Sequence, residues 1–270
     1  MLPPQFAELV VLDLLPLGRE DTVRTFVLRL SPPRWSTYMP GQFLMLRPAG
    51  WGLDLPWARP FSISRAGEQD LECFIQVAGR GTERLTTLKA GDVVHVWGPL
   101  GNGFAMEADS PTLLLAGGVG IAPFVGYAQK HPKAWNLSML FGHRAPLGWY
   151  PVDSIRERIA IETMHESGPA DLAGFIAAMG ARMEEYAGKG GLALACGPGA
   201  FLRTVQKLAT QTGLRTQLSL ESRMACGVGA CLGCVVTTGD PWPVPDQKNW
   251  PVQTCTHGPV FWAEHVMLEG

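Results

Sequence analysis

The stretch that decides the fold of this chain is Thr112–Phe124, TLLLAGGVGIAPF. Its first five residues suit a buried strand, its glycines allow a tight turn, and a helix-like run follows to Lys130. Backbone at Gly118 and Gly120 can approach a pyrophosphate at the start of that helix. A strand-to-helix turn without a ligand is the alternative, since Pro123 replaces the usual third glycine.

Strands and helices continue to alternate downstream of this stretch. Strand-like and helix-like runs occur at Leu137–Phe141, Asp171–Tyr186, Leu192–Ala195 and Phe201–Ala209. Such alternation predicts a parallel sheet with crossover helices, which we place at about 106–215.

Two positions beside this sheet each allow two interpretations. Cys196 opens a second glycine loop, CGPG, after an apolar strand. Its thiol therefore either faces the ligand crevice and touches a nicotinamide or is a small buried core residue. Arg144 stands where an acidic residue would hold ribose hydroxyls, so it is either a ligand for the 2′-phosphate of NADPH or a solvated loop arginine.

The chain upstream of the decisive stretch is rich in strands. Short apolar runs separated mostly by Gly or Pro occur at Phe6–Leu15, Thr22–Leu30, Gln42–Arg47, Leu71–Val77 and Asp92–Trp97. This spacing predicts a sandwich or a barrel. A short helix is expected after Thr82, which would cap it, and Gly91 would end it.

The segment Arg59–Ser64, RPFSIS, lies between these predicted strands. An arginine beside a proline of fixed φ can clamp a diphosphate in bidentate fashion. Ser62 can donate a hydrogen bond to a flavin ring nitrogen. The alternative is a short strand with a charged end.

The cysteines give the strongest local signal. Cys226, Cys231 and Cys234 have the C-x4-C-x2-C spacing of plant-type [2Fe–2S] proteins, which need a fourth cysteine further on. Cys255 is the only candidate downstream. The glycines of ACGVGACLGC let the backbone curl and bring amides near the sulfurs. A zinc site and inert buried thiols are the alternatives.

Composition limits the functional class. The chain has 270 residues, a formal net charge of −2, 17% charged and 46% hydrophobic residues, so disorder is not expected. Nucleic-acid binding is not expected because no basic excess occurs. A membrane span is not expected either, because no run of about 18 apolar residues occurs. No secretory signal pattern is present, and we expect a cytoplasmic protein.

Taken in order, RPFSIS, GRGTERL, AGGVGIAPF, ACGPG and ESRMACGVGACLGC resemble the ferredoxin–NADP reductase superfamily. More narrowly they look like the electron-transfer subunits of NAD-linked dihydroorotate dehydrogenases, over nearly the whole chain. The resemblance implies a multidomain β plus α/β architecture. It consists of an antiparallel six-stranded FAD-binding barrel (1–105), a parallel-sheet NAD-binding domain (106–215) and a small C-terminal [2Fe–2S] domain (216–270).

The resemblance also implies roles for individual residues. The expected FAD residues are Arg59, Pro60, Phe61, Ser62, Ile75, Gln76, Val77, Gly81 and Thr82. The expected nucleotide residues are Gly117, Gly118, Gly120, Cys196, Gly197 and Pro198, with Cys196 and Ser62 as the residues nearest the chemistry. The expected cluster ligands are Cys226, Cys231, Cys234 and Cys255. One departure is the gap of twenty residues between Cys234 and Cys255, which we attribute to a surface loop around Trp242 and Trp250.

The function implied is electron transfer in pyrimidine biosynthesis. Nicotinamide exchanges two electrons and an iron–sulfur cluster one, so a flavin is expected between them. The expected order is FMN of a partner dihydroorotate dehydrogenase subunit, [2Fe–2S], FAD and NAD+, in a heterotetramer. Two alternatives are a related NAD(P)H reductase subunit serving a ferredoxin, sulfide, sulfite or oxygenase system, and a zinc-binding interaction module.

Overall fold

The computed structural model describes residues 5–18, 24–35, 37–239 and 251–268. The strands of this part of the chain are β1 (Gln5–Leu17), β2 (Thr25–Leu30), β3 (Phe43–Pro48), β4 (Arg59–Ser62), β5 (Arg65–Ala66), β6 (Leu71–Gln76), β7 (Val93–Leu100), β8 (Thr112–Gly117), β9 (Leu137–His143), β10 (Ala160–His165), β11 (Leu192–Cys196), β12 (Arg215–Ser219), β13 (Val235–Thr238), β14 (Pro251–Gln253), β15 (Val260–Trp262) and β16 (Val266–Met267). Its α-helices are α1 (Arg80–Leu85), α2 (Ala122–Lys130), α3 (Val152–Arg156), α4 (Pro169–Gly188), α5 (Gly199–Thr212) and α6 (Thr254–His257).

The first seven strands form one antiparallel sheet in the order β4-β3-β7-β1-β2-β6-β5. The sheet curls, so that β4 comes into contact with β6. Alternate residues of β2, β3 and β7 point inward and are fully buried, as the period of two in a strand requires. The predicted antiparallel barrel is therefore confirmed, with a two-residue edge strand, β5, added to six longer strands.

The short helix of this domain differs from its prediction. It begins at Arg80, two residues before Thr82, and it ends at Leu85, well before Gly91. Thr82 does not cap the helix from outside, because its hydroxyl reaches back from the first turn and accepts the backbone N–H of Gly79 at 3.1 Å. Gly91 instead lies in a turn with φ of 94° that leads toward β7.

The second sheet has the order β10-β9-β8-β11-β12-β15. Its first five strands are parallel and β15 is antiparallel to β12. β8 and β9 are almost completely buried because helices cover both faces, which explains the continuous apolar run TLLLA. The predicted parallel-sheet α/β domain is confirmed.

Three strands of this sheet were not predicted. The edge strand β10, AIETMH, is half-exposed and mixes polar with apolar residues. β12 and β15 lie in 215–262, so the sheet continues beyond residue 215, where we predicted its end. The boundaries proposed at 105 and 215 stay predictions.

The last segment forms a small antiparallel sheet, β14-β13-β16, together with α6. The loop proposed around Trp242 and Trp250 lies outside the described residues. Within the described residues, no helix combines the length and the apolar character that crossing a membrane would require.

Candidate functional site

The cysteine loop, residues 226–234, folds back on itself so that its backbone N–H groups approach the sulfur atom of Cys226. The curl depends on positive φ angles at Gly227 (72°) and Gly229 (83°). Backbone N–H groups of Val228 and Cys231 point to the Cys226 Sγ, at 3.5 and 3.4 Å. Burial alone would raise the pKa of the Cys226 thiol, but these hydrogen bonds outweigh it and lower the pKa to about 7. The loop therefore favours a thiolate, which is the form that binds metal.

The four thiols come together as two pairs. The Sγ atoms of Cys226 and Cys231 lie 3.3 Å apart. Cys255 interacts with Cys234, and burial together with this neighbour raises the pKa of the Cys255 thiol to about 12. No three Cys, His, Asp or Glu side chains of the described residues meet around one metal-sized point. Two pairs of thiols fit a cluster of two irons, with two thiolates for each iron.

The two pairs differ in their surroundings. Cys234 and Cys255 are buried in a small apolar cluster with Phe43 and Met45 of β3. Cys226 is half-buried and Cys231 is exposed. One pair therefore faces the barrel and the other faces solvent, which is the arrangement needed to pass electrons from outside the protein toward the barrel.

The cysteine loop is also fixed to the barrel by close contacts. The indole Nε1 of Trp97 donates a hydrogen bond to the Cys226 carbonyl at 2.9 Å. A Cβ at Gly227 would lie 2.5 Å from the Met45 side chain, so only glycine permits this approach. Met224 packs on the apolar cluster with Cys234, whereas Val228 is exposed.

The pairing of two strands, β13 and β14, brings the fourth cysteine to the loop. β13 directly follows Cys234 and pairs antiparallel with β14, which ends two residues before Cys255. The backbone N–H of Thr254 donates to the Cys234 carbonyl at 2.7 Å. The pairing of β13 with β14 therefore brings the last two cysteines together despite the long gap between them.

Asn102, at the end of the barrel, holds the segment that follows Cys255. Its Nδ2 donates to the carbonyls of His257 (3.2 Å) and Val260 (2.7 Å), and its Oδ1 accepts the Val260 N–H at 3.0 Å. The Asn102 backbone N–H also donates to the Gly258 carbonyl at 2.7 Å. This contact between residues far apart in the chain was missed by sequence reasoning, since no local pattern marks it.

The predicted flavin strand is β4, one strand away from the buried cysteine pair. In the register of β3 and β4, Phe43 pairs with Ser62 and Met45 with Pro60. Paired residues lie on one face of a sheet, with neighbouring strands about 4.8 Å apart. The face of β3 that contacts the cysteines is therefore continuous with Ser62 and Pro60.

Arg59, the first residue of β4, lies against the start of α1. Its Nη1 donates to the carbonyls of Trp57 (2.8 Å) and Ala58 (3.2 Å). A Cβ at Gly81 would lie 2.7 Å from the Arg59 Nε, so a side chain there would displace the guanidinium. The guanidinium of Arg59 therefore places a positive charge on the barrel surface next to the backbone of Gly81, where a diphosphate could bind.

The other predicted FAD residues take different positions. Phe61 packs on the barrel core, and Ile75 is buried within that core. Gln76 is exposed, and the Val77 N–H donates to the Arg24 carbonyl at 2.8 Å. The side chain of Ile75 is therefore turned away from any ligand, whereas Gln76 is accessible to one.

The two glycine loops of the α/β domain meet at one crevice. A Cβ at Gly120 would lie 2.1 Å from the Cys196 carbonyl oxygen, and a Cβ at Gly117 would lie 3.3 Å from the Pro198 ring. Gly118 has a φ of 53°, while the space beside it is open. Ligands of such sheets bind at the carboxyl ends of the strands, which is where these loops converge. Gly197 lies in the same turn.

Cys196 keeps a neutral thiol. Burial raises its pKa to about 12, only partly offset by a hydrogen bond with the Ser219 side chain. It can touch a nicotinamide as a small uncharged group, but it does not act as a thiolate nucleophile at neutral pH.

Arg144 is an exposed arginine in the loop after β9, as the second of its two interpretations predicts, and it forms an ion pair with Glu166. Its Nη2 lies 2.6 Å from the Glu166 Oε1. Glu166 follows the unpredicted strand β10, so sequence reasoning missed it. An acidic residue directly after a strand end was the available signal.

Solved structures share this fold over 75% to 97% of the chain. An NADH-dependent reduced ferredoxin–NADP oxidoreductase has a TM-score of 0.79 at 22% identity, covering 97% of this chain and 90% of that one. The ferredoxin–NADP+ reductase of Plasmodium falciparum has a TM-score of 0.63 at 15% identity, covering 75% and 88%. The chain therefore has the ferredoxin–NADP reductase fold, and it adds to that fold a cysteine loop with the spacing of [2Fe–2S] proteins.

Comparison with sequence relatives identifies the family to which the chain belongs. Residues 221–267 match the iron–sulfur cluster binding domain of dihydroorotate dehydrogenase B. The electron transfer subunit of dihydroorotate dehydrogenase B (NAD(+)) from Caldanaerobacter subterraneus is 34% identical over 85% of this chain and 87% of its own length. The subunit of the same name from Clostridium acetobutylicum is 32% identical over 85% and 86%. The chain belongs to the family of dihydroorotate dehydrogenase B electron transfer subunits, which confirms the resemblance and the predicted oxidoreductase class.

Proposed function

We propose that this chain carries electrons from a dihydroorotate dehydrogenase catalytic subunit to NAD+, and so serves pyrimidine biosynthesis. The proposed order is FMN of the partner, a [2Fe–2S] cluster held by Cys226, Cys231, Cys234 and Cys255, FAD on the barrel, and NAD+. The cofactors FAD, [2Fe–2S] and NAD(H) agree with the family to which the chain belongs. A flavin accepts electrons singly or in pairs, and so connects a one-electron cluster with a hydride acceptor.

One observation carries this proposal: the continuity between the cysteines and β4. Cys234 and Cys255 share an apolar cluster with Phe43 and Met45, whose partners across the sheet are Ser62 and Pro60. A flavin ring beside Ser62 would lie one strand spacing, about 5 Å, beyond the residues that cover the inner cysteines.

The chain's own residues have separate tasks in this scheme. Arg59 and the backbone at Gly81 would hold the FAD diphosphate, with Thr82 fixing the turn through its hydrogen bonds to Ala78 and Gly79. Gly118 and Gly120 would admit the NAD pyrophosphate. The neutral thiol of Cys196 would border the nicotinamide without competing for its hydride.

We propose that the partner subunit docks around the outer cysteine pair. The exposed Cys231 lies between Val228, which is 50% exposed, and Leu232, which is 59% exposed. Exposed apolar residues around a redox centre favour a protein partner over a small substrate. A heterotetramer with an FMN-containing catalytic subunit, and a cytoplasmic location, are parts of the same proposal.

The test is to purify the chain with and without its partner and to add dihydroorotate. The isolated chain should contain iron and FAD, and its flavin should bleach with NADH but not with dihydroorotate. The complex should reduce NAD+ with dihydroorotate. Bleaching of the isolated chain by dihydroorotate would refute the division of labour. Zinc in place of iron would favour the interaction module. Electron transfer to a ferredoxin, sulfite or oxygenase component, without any from dihydroorotate, would favour the related reductase.

A further inference from the structure

Helix α2 joins the proposed nucleotide turn to the barrel. It begins directly after the glycine turn, Gly118–Ile121, so the turn and the helix move together. Its first seven residues are all buried, and the helix contacts β5 of the barrel. A shift of α2 relative to the barrel would therefore move the nucleotide turn relative to the strands proposed to hold FAD.

Gly126, in the middle of α2, permits a close approach between the helix and the barrel. A Cβ at Gly126 would lie 2.6 Å from the Ser64 carbonyl oxygen, and it would lie closer still to the Tyr38 hydroxyl. Carbon–oxygen contacts in proteins are ordinarily about 3.3 Å or longer. A single methyl group at this position would therefore push α2 and the barrel apart by several tenths of an ångström.

The barrel side of this contact belongs to the segment that carries the proposed flavin residue Ser62. Ser64 lies between β4 and β5, and its hydroxyl accepts the Phe74 N–H at 3.0 Å. Its own backbone N–H donates to the Glu72 carbonyl at 3.0 Å. These two bonds tie Ser64 to β6, which is the second strand proposed to contact FAD. The position of α2 is therefore set against backbone that is fixed to both flavin strands.

A second contact holds α2 on the same part of the barrel. The Lys130 Nζ lies 3.6 Å from the centre of the Tyr38 ring, and it donates a hydrogen bond to the Tyr38 carbonyl at 2.7 Å. A cation over an aromatic face and a charged donor on a carbonyl both attract. Gly126 and Lys130 are four residues apart and so lie on one face of the helix. One contact limits how closely α2 approaches Tyr38, and the other keeps it there.

We propose that Gly126, Lys130 and Tyr38 are positioning residues for hydride transfer, because their contact sets the distance between a nicotinamide at the glycine turns and a flavin beside Ser62. A hydride carries two electrons and one proton between the nicotinamide and the flavin, so that NADH becomes NAD+ as the flavin is reduced, or the reverse. The reacting atoms must come within about 3–3.5 Å, and a displacement of about 1 Å can slow the reaction about 100-fold. The separation that a methyl group at Gly126 would impose approaches that scale.

This inference rests on the proposed function, and its test uses the purified full-length chain with FAD and cluster bound. In stopped-flow experiments at saturating NADH, Gly126→Ala should reduce its flavin at least tenfold more slowly than the unmodified chain. The NADH concentration at half-maximal rate and the affinity for FAD should each change by less than threefold. At equilibrium, NAD+ added to the reduced protein should give a long-wavelength absorbance band from stacking of the two rings, and Gly126→Ala should lose at least half of that band.

Gly180→Ala is the matched control, because Gly180 is also an interior helix glycine, in α4. A Cβ there would lie 3.5 Å from the Leu208 side chain, which is an ordinary contact within the α/β domain. It should change neither the rate nor the band. Lys130→Met should slow flavin reduction at least threefold and weaken the band, whereas Lys130→Arg keeps a cation over the Tyr38 ring and should restore most of both.

Separate outcomes would overturn the two proposals. An unchanged rate and band in Gly126→Ala, with its flavin and cluster absorbance intact, would refute the positioning role. If Gly126→Ala fails to hold its cofactors, an unchanged rate and band in Lys130→Met would refute that role instead. Equal slowing by Gly180→Ala would refute it as well, since the effect would then be common to helix glycines. Failure of NADH to reduce the flavin of the unmodified chain would refute the proposed function itself.

Discussion

Replacing Asn102 by alanine should loosen the segment that carries Cys255 while leaving the flavin site intact. The side chain makes three hydrogen bonds, two to the carbonyls of His257 and Val260 and one from the Val260 N–H. At about 1 kcal/mol each, their loss should destabilise the docked segment by about 3 kcal/mol. With a urea m-value of about 3 kcal/mol/M, the midpoint of cluster loss should fall by about 1 M.

The assay follows two signals from the holoprotein during a urea titration. Visible absorbance reports the cluster and flavin fluorescence reports release of FAD. In Asn102→Ala the cluster signal should disappear at lower urea than the flavin signal. Asn102→Asp should be at least as damaging, because a carboxylate keeps the acceptor for Val260 but repels the two carbonyls.

Asn136→Ala is the matched control for this prediction. The Asn136 Nδ2 makes one hydrogen bond, to the Ala108 carbonyl at 2.8 Å, in the α/β domain. Its loss should cost about 1 kcal/mol and should not separate the two signals. If Asn102→Ala and Asn136→Ala shift cluster loss equally, Asn102 does not hold the cysteine segment.

Three further predictions concern other parts of the chain. Arg59→Ala should weaken FAD binding 10- to 100-fold, measured by equilibrium dialysis, because it removes about 1.5–3 kcal/mol of charge-assisted hydrogen bonding. Arg80→Ala removes the hydrogen bond to the Asp54 carbonyl and should leave FAD binding unchanged. Gly120→Ala should lower the free energy of unfolding, measured in urea, by about 1–3 kcal/mol, because the new Cβ would lie 2.1 Å from the Cys196 carbonyl oxygen. Gly174→Ala should leave that free energy unchanged or raise it, because a Cβ there has no neighbour within 4 Å. The hydrogen bonds from Arg215 lower the pKa of Glu107. The pair therefore stabilises the fold above the ordinary pKa of a glutamate, and this stabilisation is lost as the pH falls through the lowered pKa. The urea midpoints of the unmodified chain and of Arg215→Ala should converge between pH 7 and pH 3, and a constant difference would contradict the assignment.

Much of the fold was predictable because it follows from local patterns. The run TLLLA is apolar throughout because helices cover both faces of β8, and the glycines after it permit the approach to Cys196. The C-x4-C-x2-C spacing likewise fixed three candidate ligands, since one short loop supplies them.

The features that sequence reasoning missed depend on contacts between distant residues or on weak local patterns. β10 is a half-exposed edge strand without a continuous apolar face, so its residues resemble a loop. β15 joins the α/β sheet by pairing with β12 from more than forty residues away. Thr82 was assigned as the residue that precedes a helix, but its hydroxyl satisfies Ala78 and Gly79 from within the first turn. Asn102 lies more than 150 residues from the segment it holds.

The central claim is that two pairs of cysteines hold two irons next to a flavin. The most direct measurement is an anaerobic titration of the purified chain with NADH, following flavin and cluster absorbance together with iron and FAD content. The account predicts two irons and one FAD for each chain, with both chromophores reduced by NADH. In Cys255→Ser the flavin should still be reduced while the cluster signal is lost. A chain that binds zinc, or one whose cluster stays oxidised after its flavin is fully reduced, would contradict the account.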